Sequence, residues 1–138
     1  MPLSGRTSDP RSRAIILATT CLMGAAAVVL LFAPVEVASV LGASDPRLPG
    51  LALQLYAAAL LGLAMTGWAV KDAIIGGIFG RSYVLGNLAH AFAGACALTR
   101  PAAASGASPA LGVLAAVYWI VALVFGYLMF VAAPSASR

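Results

Sequence analysis

Residues 111–132 of the chain read LGVLAAVYWIVALVFGYLMFVA, an apolar run of 22 residues without a charged side chain. A helix needs about 20 apolar residues to cross the hydrocarbon core of a bilayer, which is about 30 Å thick. A strand of a membrane barrel would instead alternate apolar and polar residues over about ten positions. This run is apolar throughout and ends just before Pro134. It therefore predicts a membrane-spanning helix.

Three further segments have a similar length and composition: residues 14–33, 51–70 and 82–99. Backbone groups in hydrocarbon must form their hydrogen bonds within the segment, so continuously apolar runs of this length are helical. The segment 82–99 is the shortest, and it contains Asn87 and His90. We therefore predict one all-α domain over residues 1–138, an integral membrane four-helix bundle.

The overall composition excludes an ordinary soluble domain. Apolar residues make up 62% of the chain and charged residues 9%, whereas a soluble domain has about 45–50% and about 25%. The net charge of +4 does not indicate nucleic acid, because the eight basic residues form no patch with interleaved aromatic residues. They lie near the ends of the apolar segments, where basic residues determine the orientation in a bilayer.

The distribution of basic residues predicts that orientation. With the N-terminal tail inside, only Arg47 and Arg100 face outward. Six basic residues then face the cytoplasm: Arg6, Arg11, Arg13, Lys71, Arg81 and Arg138. Because cytoplasmic segments carry an excess of Lys and Arg, we expect both termini in the cytoplasm, residues 1–12 as a flexible tail, and a multi-pass protein of the cell inner membrane. The first apolar run exceeds the about 7–15 residues of a signal-peptide core, so we expect it to be retained.

Two connecting segments carry local signals. Residues 34–42 begin with proline and end with Gly42, which predicts one or two helical turns at the membrane surface with a glycine stop. Asp45 and Pro46 follow, and a capping residue before proline predicts that the next helix begins ahead of its apolar run. Residues 101–109 are small and carry no charge, as is typical of a plain external connector.

His90 is the one histidine of the chain, and it lies near the middle of a predicted span. Asn87 lies one turn away on the same face, and Thr66 and Tyr127 are expected at the depth of Asn87. In one interpretation these groups join helices, which contributes about 0.6–2 kcal/mol for each hydrogen bond. Ionisable groups at mid-membrane depth also mark functional sites. The four residues are therefore a candidate proton site or a ligand site for a haem or a lipid headgroup.

Small residues are abundant in every predicted span. They let helices approach closely, often at a spacing of four residues. We expect four glycines at contacts between the helices of one chain: Gly62, Gly86, Gly94 and Gly126. An oligomer interface is the alternative interpretation of the same pattern.

No acidic residue lies inside a predicted span, since the four acids of the chain are Asp9, Glu36, Asp45 and Asp72. A proton-coupled exporter of similar size needs a carboxylate in the membrane, so that class is disfavoured. The sequence contains no phosphate-binding loop, zinc-protease motif or nucleophile elbow. It also predicts no catalytic or metal-binding set, and a single histidine excludes two histidine ligands to a haem from one chain.

Residues 32–70 resemble a known family. The matching segments are FAP at 32–34, VEVA at 35–38, LG at 41–42, LQLYA at 53–57 and LLGL at 60–63. They are similar to the DoxX-like superfamily of small four-helix bacterial membrane proteins. The resemblance implies that fold and, for some relatives, a link to quinone-linked sulfur oxidation. Gln54 departs from the pattern, because the family has a basic residue there.

Three functional hypotheses remain open. The first is a non-enzymatic accessory, scaffold or oligomer-forming subunit, because no reactive set is present and small residues are abundant. The second is a binder or carrier of a small apolar ligand (a quinone, a lipid or a haem) next to His90. The third, a subunit of a membrane redox complex, rests on the family resemblance. The expected partners are the lipid bilayer and either further copies of the chain or a larger membrane complex, with no nucleic acid; the sequence specifies no cofactor.

Overall fold

A computed structural model of the protein describes residues 10–73 and 77–131. These residues form α-helices and no β-strand. The helices are α1 (Pro10–Phe32), α2 (Pro34–Val40), α3 (Arg47–Val70), α4 (Ile78–Ala102) and α5 (Pro109–Phe130). The prediction of an all-α fold is confirmed.

Three helices, α1, α3 and α5, are each long and apolar enough to cross a membrane. They have 23, 24 and 22 residues, and at about 1.5 Å per residue each exceeds the about 30 Å of the hydrocarbon core. Large apolar side chains are exposed on all three, among them Leu22, Leu55 and Leu123, as expected for contact with lipid. These features indicate a membrane protein. Helix α4 has 25 residues but a more polar composition, so its role as a fourth span remains a prediction.

The long helices extend beyond the apolar runs that predict them. α1 begins at Pro10, so residues 10–12 belong to a helix rather than to the predicted tail, and Ser12 is buried. The remainder of that tail, residues 1–9, lies outside the described residues. α3 begins at Arg47, ahead of its apolar run, and the Asp45 carboxylate accepts a hydrogen bond of 3.2 Å from the Arg47 backbone N–H. The predicted early start of α3 is therefore confirmed, with Pro46 at the N-cap position instead of the first helical position.

The short helix α2 confirms the prediction of helical turns after the first span. It covers Pro34–Val40 and starts with proline, whose missing N–H would be unpaired in a first turn in any case. The chain leaves the helix through Gly42, which has a φ of +96°, a left-handed conformation that favours glycine. The Ala43 N–H then bonds to the Ala38 carbonyl at 3.0 Å, and this closes the end of the helix.

The long helices form two closely packed antiparallel pairs, α1 with α3 and α4 with α5. In the first pair, Gly24 faces Ala64, and the Gln54 side chain donates a hydrogen bond of 3.2 Å to the Leu31 carbonyl. Residue numbers thus rise along α1 as they fall along α3. In the second pair, Gly94 packs against the Tyr118 ring, and the short 103–108 connection makes neighbouring helices antiparallel.

The two pairs meet most closely near the end that contains the start of α1. Ile16 of α1, Tyr83 of α4 and Phe125 of α5 belong to one buried apolar cluster. The Tyr83 and Phe125 rings form an edge-to-face pair with centroids 6.1 Å apart. Near the opposite end, the Ser108 hydroxyl donates a hydrogen bond of 2.7 Å to the Val40 carbonyl. The candidate site lies between these two connections.

Candidate ligand-binding site

His90 lies in a cluster of three aromatic side chains from three helices. Its Nε2 is 2.9 Å from the Tyr56 hydroxyl of α3, and that hydroxyl also forms a hydrogen bond with the Tyr118 hydroxyl of α5. The His90 ring stacks on Tyr56, with centroids 5.8 Å apart and an angle of 16° between the planes. It is tilted by 47° against Tyr118 at the same centroid distance. We call these three residues the aromatic cluster.

The hydrogen bonds of the aromatic cluster leave one ring nitrogen of His90 free. A neutral imidazole has one donor and one acceptor nitrogen, and Nε2 is used by Tyr56. Within the described residues, Nδ1 has no hydrogen-bond partner. If the Tyr56 hydroxyl donates to Nε2, Nδ1 carries the proton and can donate a hydrogen bond to a ligand. If Nε2 donates to the Tyr56 hydroxyl, Nδ1 is unprotonated and can accept a hydrogen bond from a ligand.

A cavity of about 110 Å³ lies beside the aromatic cluster. Its walls are mainly apolar, and no charged residue lines it. The polar side chains in its wall are Thr19, His90 and Tyr118. Most of the apolar lining comes from Leu22, Met23, Leu60, Ala91, Val117 and Val121. A volume of this size holds a single ring or a stretch of hydrocarbon chain, because typical pockets for drug-sized ligands measure about 300–1,000 Å³.

The cavity lies near the middle of all four long helices. His90 is the middle residue of α4, which covers residues 78–102. Leu60 lies close to the middle of α3, and residues 117–121 contain the middle of α5. The lining residues of α1 begin at Thr19, near the middle of residues 10–32. A shallower groove, lined by Gly94 and Ala97, touches the aromatic cluster from another side.

Asn87 is fully buried and belongs to a second polar group, one turn from His90. Its amide nitrogen donates a hydrogen bond of 3.0 Å to the Tyr83 carbonyl, within the same helix. Among the described residues, no hydrogen-bond partner lies near its carbonyl oxygen or near the buried hydroxyls of Thr20 and Tyr83. Tyr83 lies beside both Thr20 and Asn87. These three residues, Thr20, Tyr83 and Asn87, are called the buried polar cluster below, and none of them lines the cavity.

Gly67, which was not predicted as a site residue, lies directly beneath the hydroxyls of the buried polar cluster. A methyl group on Gly67 would collide with the Thr20 and Tyr83 hydroxyls. The spacing of small and apolar residues could have indicated Gly67. Ala57, Leu60, Ala64 and Gly67 are three or four residues apart and so share one face of α3, and all four are buried. Gly62 is out of phase with this series, and a methyl group there would have nothing within 4 Å.

Thr66 and Tyr127, the other two candidate site residues, are exposed and do not line the cavity. The Thr66 hydroxyl donates to the Gly62 carbonyl of its own helix at 2.9 Å. The Tyr127 side chain is 55% exposed. Their depth was estimated from residue number, which does not determine the face of the helix. Tyr56 and Tyr118 are the residues that the structure brings to His90.

The four glycines expected at helix contacts divide into two groups. Gly94 packs against Tyr118, and a methyl group on Gly126 would lie 3.9 Å from Leu88 Cδ1. These two glycines therefore lie between α4 and α5. Gly62 and Gly86 face open space on the surface of the chain.

Within the described ranges, no group of three or more His, Cys, Asp or Glu residues could hold a metal ion. No protein-family model, curated protein or solved structure matches the chain. The geometry of the site is therefore the basis for the proposed function.

Proposed function

We propose that the chain is a four-span membrane protein that binds a small lipophilic molecule in the cavity beside His90. The observation that carries the proposal is the position of this cavity, at the middle of four long helices with His90 and Tyr118 in its wall. Pockets of this kind combine apolar walls with a few polar groups that orient a ligand. The free Nδ1 of His90 is such a group.

Several features of α4 support its role as the fourth span. Its 25 residues are long enough to cross the bilayer, and no charged residue lies between Arg81 and Arg100. It runs antiparallel to α3, because Tyr56 contacts His90 while Gly67 faces Tyr83. Its amide side chain, Asn87, is buried away from lipid.

The charges at the helix ends support a cytoplasmic location of both termini. Arg13 at the start of α1 forms an ion pair of 2.8 Å with Asp72, just beyond the end of α3. Arg81 begins the second turn of α4 at the same end. Arg47 and Arg100 lie at the opposite end, so the excess of positive charge is on the side of the N-terminus, as for a cytoplasmic face.

The lining of the cavity favours a neutral molecule with a narrow apolar body. A charged ligand would have no counter-charge, because no charged side chain lines the walls. Of the classes considered from the sequence, a single quinone-like ring or a lipid chain suits about 110 Å³, and a haem macrocycle is too large. The DoxX-like resemblance remains a proposal, and the membership of a redox complex that it implies rests on that resemblance.

Native mass spectrometry of the protein, released from mild detergent, tests the proposal. We expect the wild type to carry a bound molecule of constant mass. Ala91→Leu, which fills the cavity from a buried position, should remove it, and His90→Leu should weaken its retention. Ala116→Leu is the matched control, since Ala116 is exposed and does not line the cavity. Equal adducts in the wild type and Ala91→Leu, or none in the wild type, would refute the proposal.

A scaffold or oligomer-forming role is the second candidate. It is favoured by a row of exposed small residues on α4, Gly86, Ala89, Ala93 and Ala97, since such residues allow close helix packing. Light scattering in mild detergent should then give a mass above one chain of 13.9 kDa. Ala93→Trp should reduce it to the monomer, whereas Ala116→Trp should not. A monomeric wild type would contradict this role.

A further inference from the structure

The cavity beside His90 is partly open, and two of its lining residues, from different helices, are exposed. Of the residues that line it, Leu22 and Val117 are exposed large apolar side chains, at 51% and 36%. Leu22 belongs to α1 and Val117 to α5. The other large apolar residues of the lining are buried or half-buried. We call the gap between Leu22 and Val117 the lateral opening.

The packing of the helices explains why a gap exists at this place. α1 pairs closely with α3, and α5 pairs closely with α4, but α1 and α5 are not a closely packed pair. They come together in the apolar cluster of Ile16, Phe125 and Leu128. Leu22 lies more than one turn beyond Ile16, and Val117 lies two turns before Phe125. The two helices are therefore in contact on the side of the lateral opening that contains Ile16, and they are apart at the level of the opening.

The lateral opening lies at the depth of the hydrocarbon core. Leu22 is one residue from the middle of α1, and Val117 is two to three residues from the middle of α5. At about 1.5 Å per residue, both lie within about 4 Å of the middle of their helices. The edge of a hydrocarbon core about 30 Å thick is about 15 Å from its middle. The opening therefore faces lipid chains and not water.

We infer that the ligand reaches the cavity sideways from the bilayer, between Leu22 and Val117. Given the proposed binding function on which this inference rests, the ligand class is a neutral molecule dissolved in the hydrocarbon core. It has a narrow apolar body and one hydrogen-bonding group. The apolar body passes the lateral opening, and the hydrogen-bonding group pairs with His90 Nδ1 or the Tyr118 hydroxyl. A water-soluble or charged metabolite is excluded from this route, because it would have to lose its hydration before it reached the opening.

A photoreactive probe tests the route. The probe is an alkylphenol that carries a diazirine, incorporated into phosphatidylcholine vesicles that contain the full-length protein, with 2-naphthol as competitor. We expect labelling of Met23, Leu60 and Val121 that saturates and is removed by 2-naphthol. Labelling of lipid-facing Leu123 should stay proportional to the probe concentration. The double variant Leu22→Trp/Val117→Trp should lose the saturable part.

Three control variants separate the route from the function. Leu123→Trp adds an indole to an exposed residue of α5 away from the cavity and should label like the wild type, which also shows that tryptophan at this depth is tolerated. Ala97→Trp narrows the other groove beside His90 and should also leave saturable labelling intact. Ala91→Leu, which fills the cavity itself, should abolish it.

The labelling results distinguish a failure of the route from a failure of the binding function. Saturable labelling that survives closure of the lateral opening but is lost in Ala97→Trp or Ala91→Leu would overturn the route and leave the binding function standing. The absence of saturable labelling in the wild type would overturn both. Loss in the double variant with wild-type labelling in Leu123→Trp and Ala97→Trp would support the lateral route.

Discussion

The aromatic cluster and the buried polar cluster share helix α4 and lie one turn apart, but they differ in packing. His90 is half-buried, stacks on Tyr56, is tilted against Tyr118 and borders a cavity. Asn87 and Tyr83 are almost fully buried, and their neighbours close over Gly67. Polar groups beside open space can exchange partners with a ligand, whereas a tightly packed contact leaves no room for one. This difference supports the proposal that a ligand binds beside the aromatic cluster, and it gives the buried polar cluster a role in helix packing.

The largest expected effect is that of Gly67→Leu. The new side chain would collide with the Thr20 and Tyr83 hydroxyls and separate α1 and α4 from α3. We expect the free energy of unfolding to fall by about 2–3 kcal/mol, because overpacking costs about 1–3 kcal/mol or more where there is no free space, and helix propensity offsets about 1 kcal/mol of it. Thermal unfolding in mild detergent measures it. Gly62→Leu on the same helix is the control and should not lower the midpoint, because it has open space around it. Equal unfolding midpoints for the two variants would contradict the tight packing inferred at Gly67.

The corresponding change beside the aromatic cluster is Gly94→Leu, which should lower the free energy of unfolding by less than Gly67→Leu. Its side chain would meet the Tyr118 ring, which is half-buried and can turn toward the adjacent groove. We expect a loss of about 1–2 kcal/mol in thermal unfolding. The adduct observed by native mass spectrometry should also be lost, because Tyr118 lines the cavity. A loss as large as that of Gly67→Leu would mean that both clusters are equally rigid.

Tyr56→Phe removes the central hydroxyl of the aromatic cluster. It breaks the hydrogen bonds to His90 and Tyr118 and retains the ring that stacks on His90. Two hydrogen bonds between membrane helices correspond to about 1 kcal/mol in total. Thermal unfolding should show a loss of that size, and saturable probe labelling should persist with weaker competition by 2-naphthol. Unchanged competition would indicate that the orientation of the His90 ring does not depend on Tyr56.

Asn87→Leu should have the smallest effect. In the part of the chain that the structure describes, this side chain forms one hydrogen bond, within α4, and its buried carbonyl oxygen has no partner. Leucine of similar shape removes that unpaired group, so the stability should change by less than about 1 kcal/mol in either direction. Probe labelling should match the wild type, because Asn87 does not line the cavity. Loss of labelling in this variant would indicate that the two clusters form a single site.

The sequence was sufficient to predict the elements of the fold. Lipid is the solvent, so apolar runs that lack charge must be helices, and three of the four predicted runs are helices long and apolar enough to span. Local signals also predicted α2, its end at Gly42 and the early start of α3. These signals act between residues close in the chain. Their physical causes, proline, glycine and a capping carboxylate, do not depend on the partner helices.

The tertiary structure decided which face of each helix points inward. A helix in lipid is apolar on its buried and its exposed sides alike, so the sequence carries little amphipathic signal. Depth could be estimated from residue number, and His90 does lie at the middle of α4. The inward-facing side of each helix could not be estimated in this way. For that reason Thr66 and Tyr127 were grouped with His90, although the partners of the aromatic cluster are Tyr56 and Tyr118. The sequence determined the helices and the position of each residue along them; only the packing of side chains determined which residues meet at the cavity.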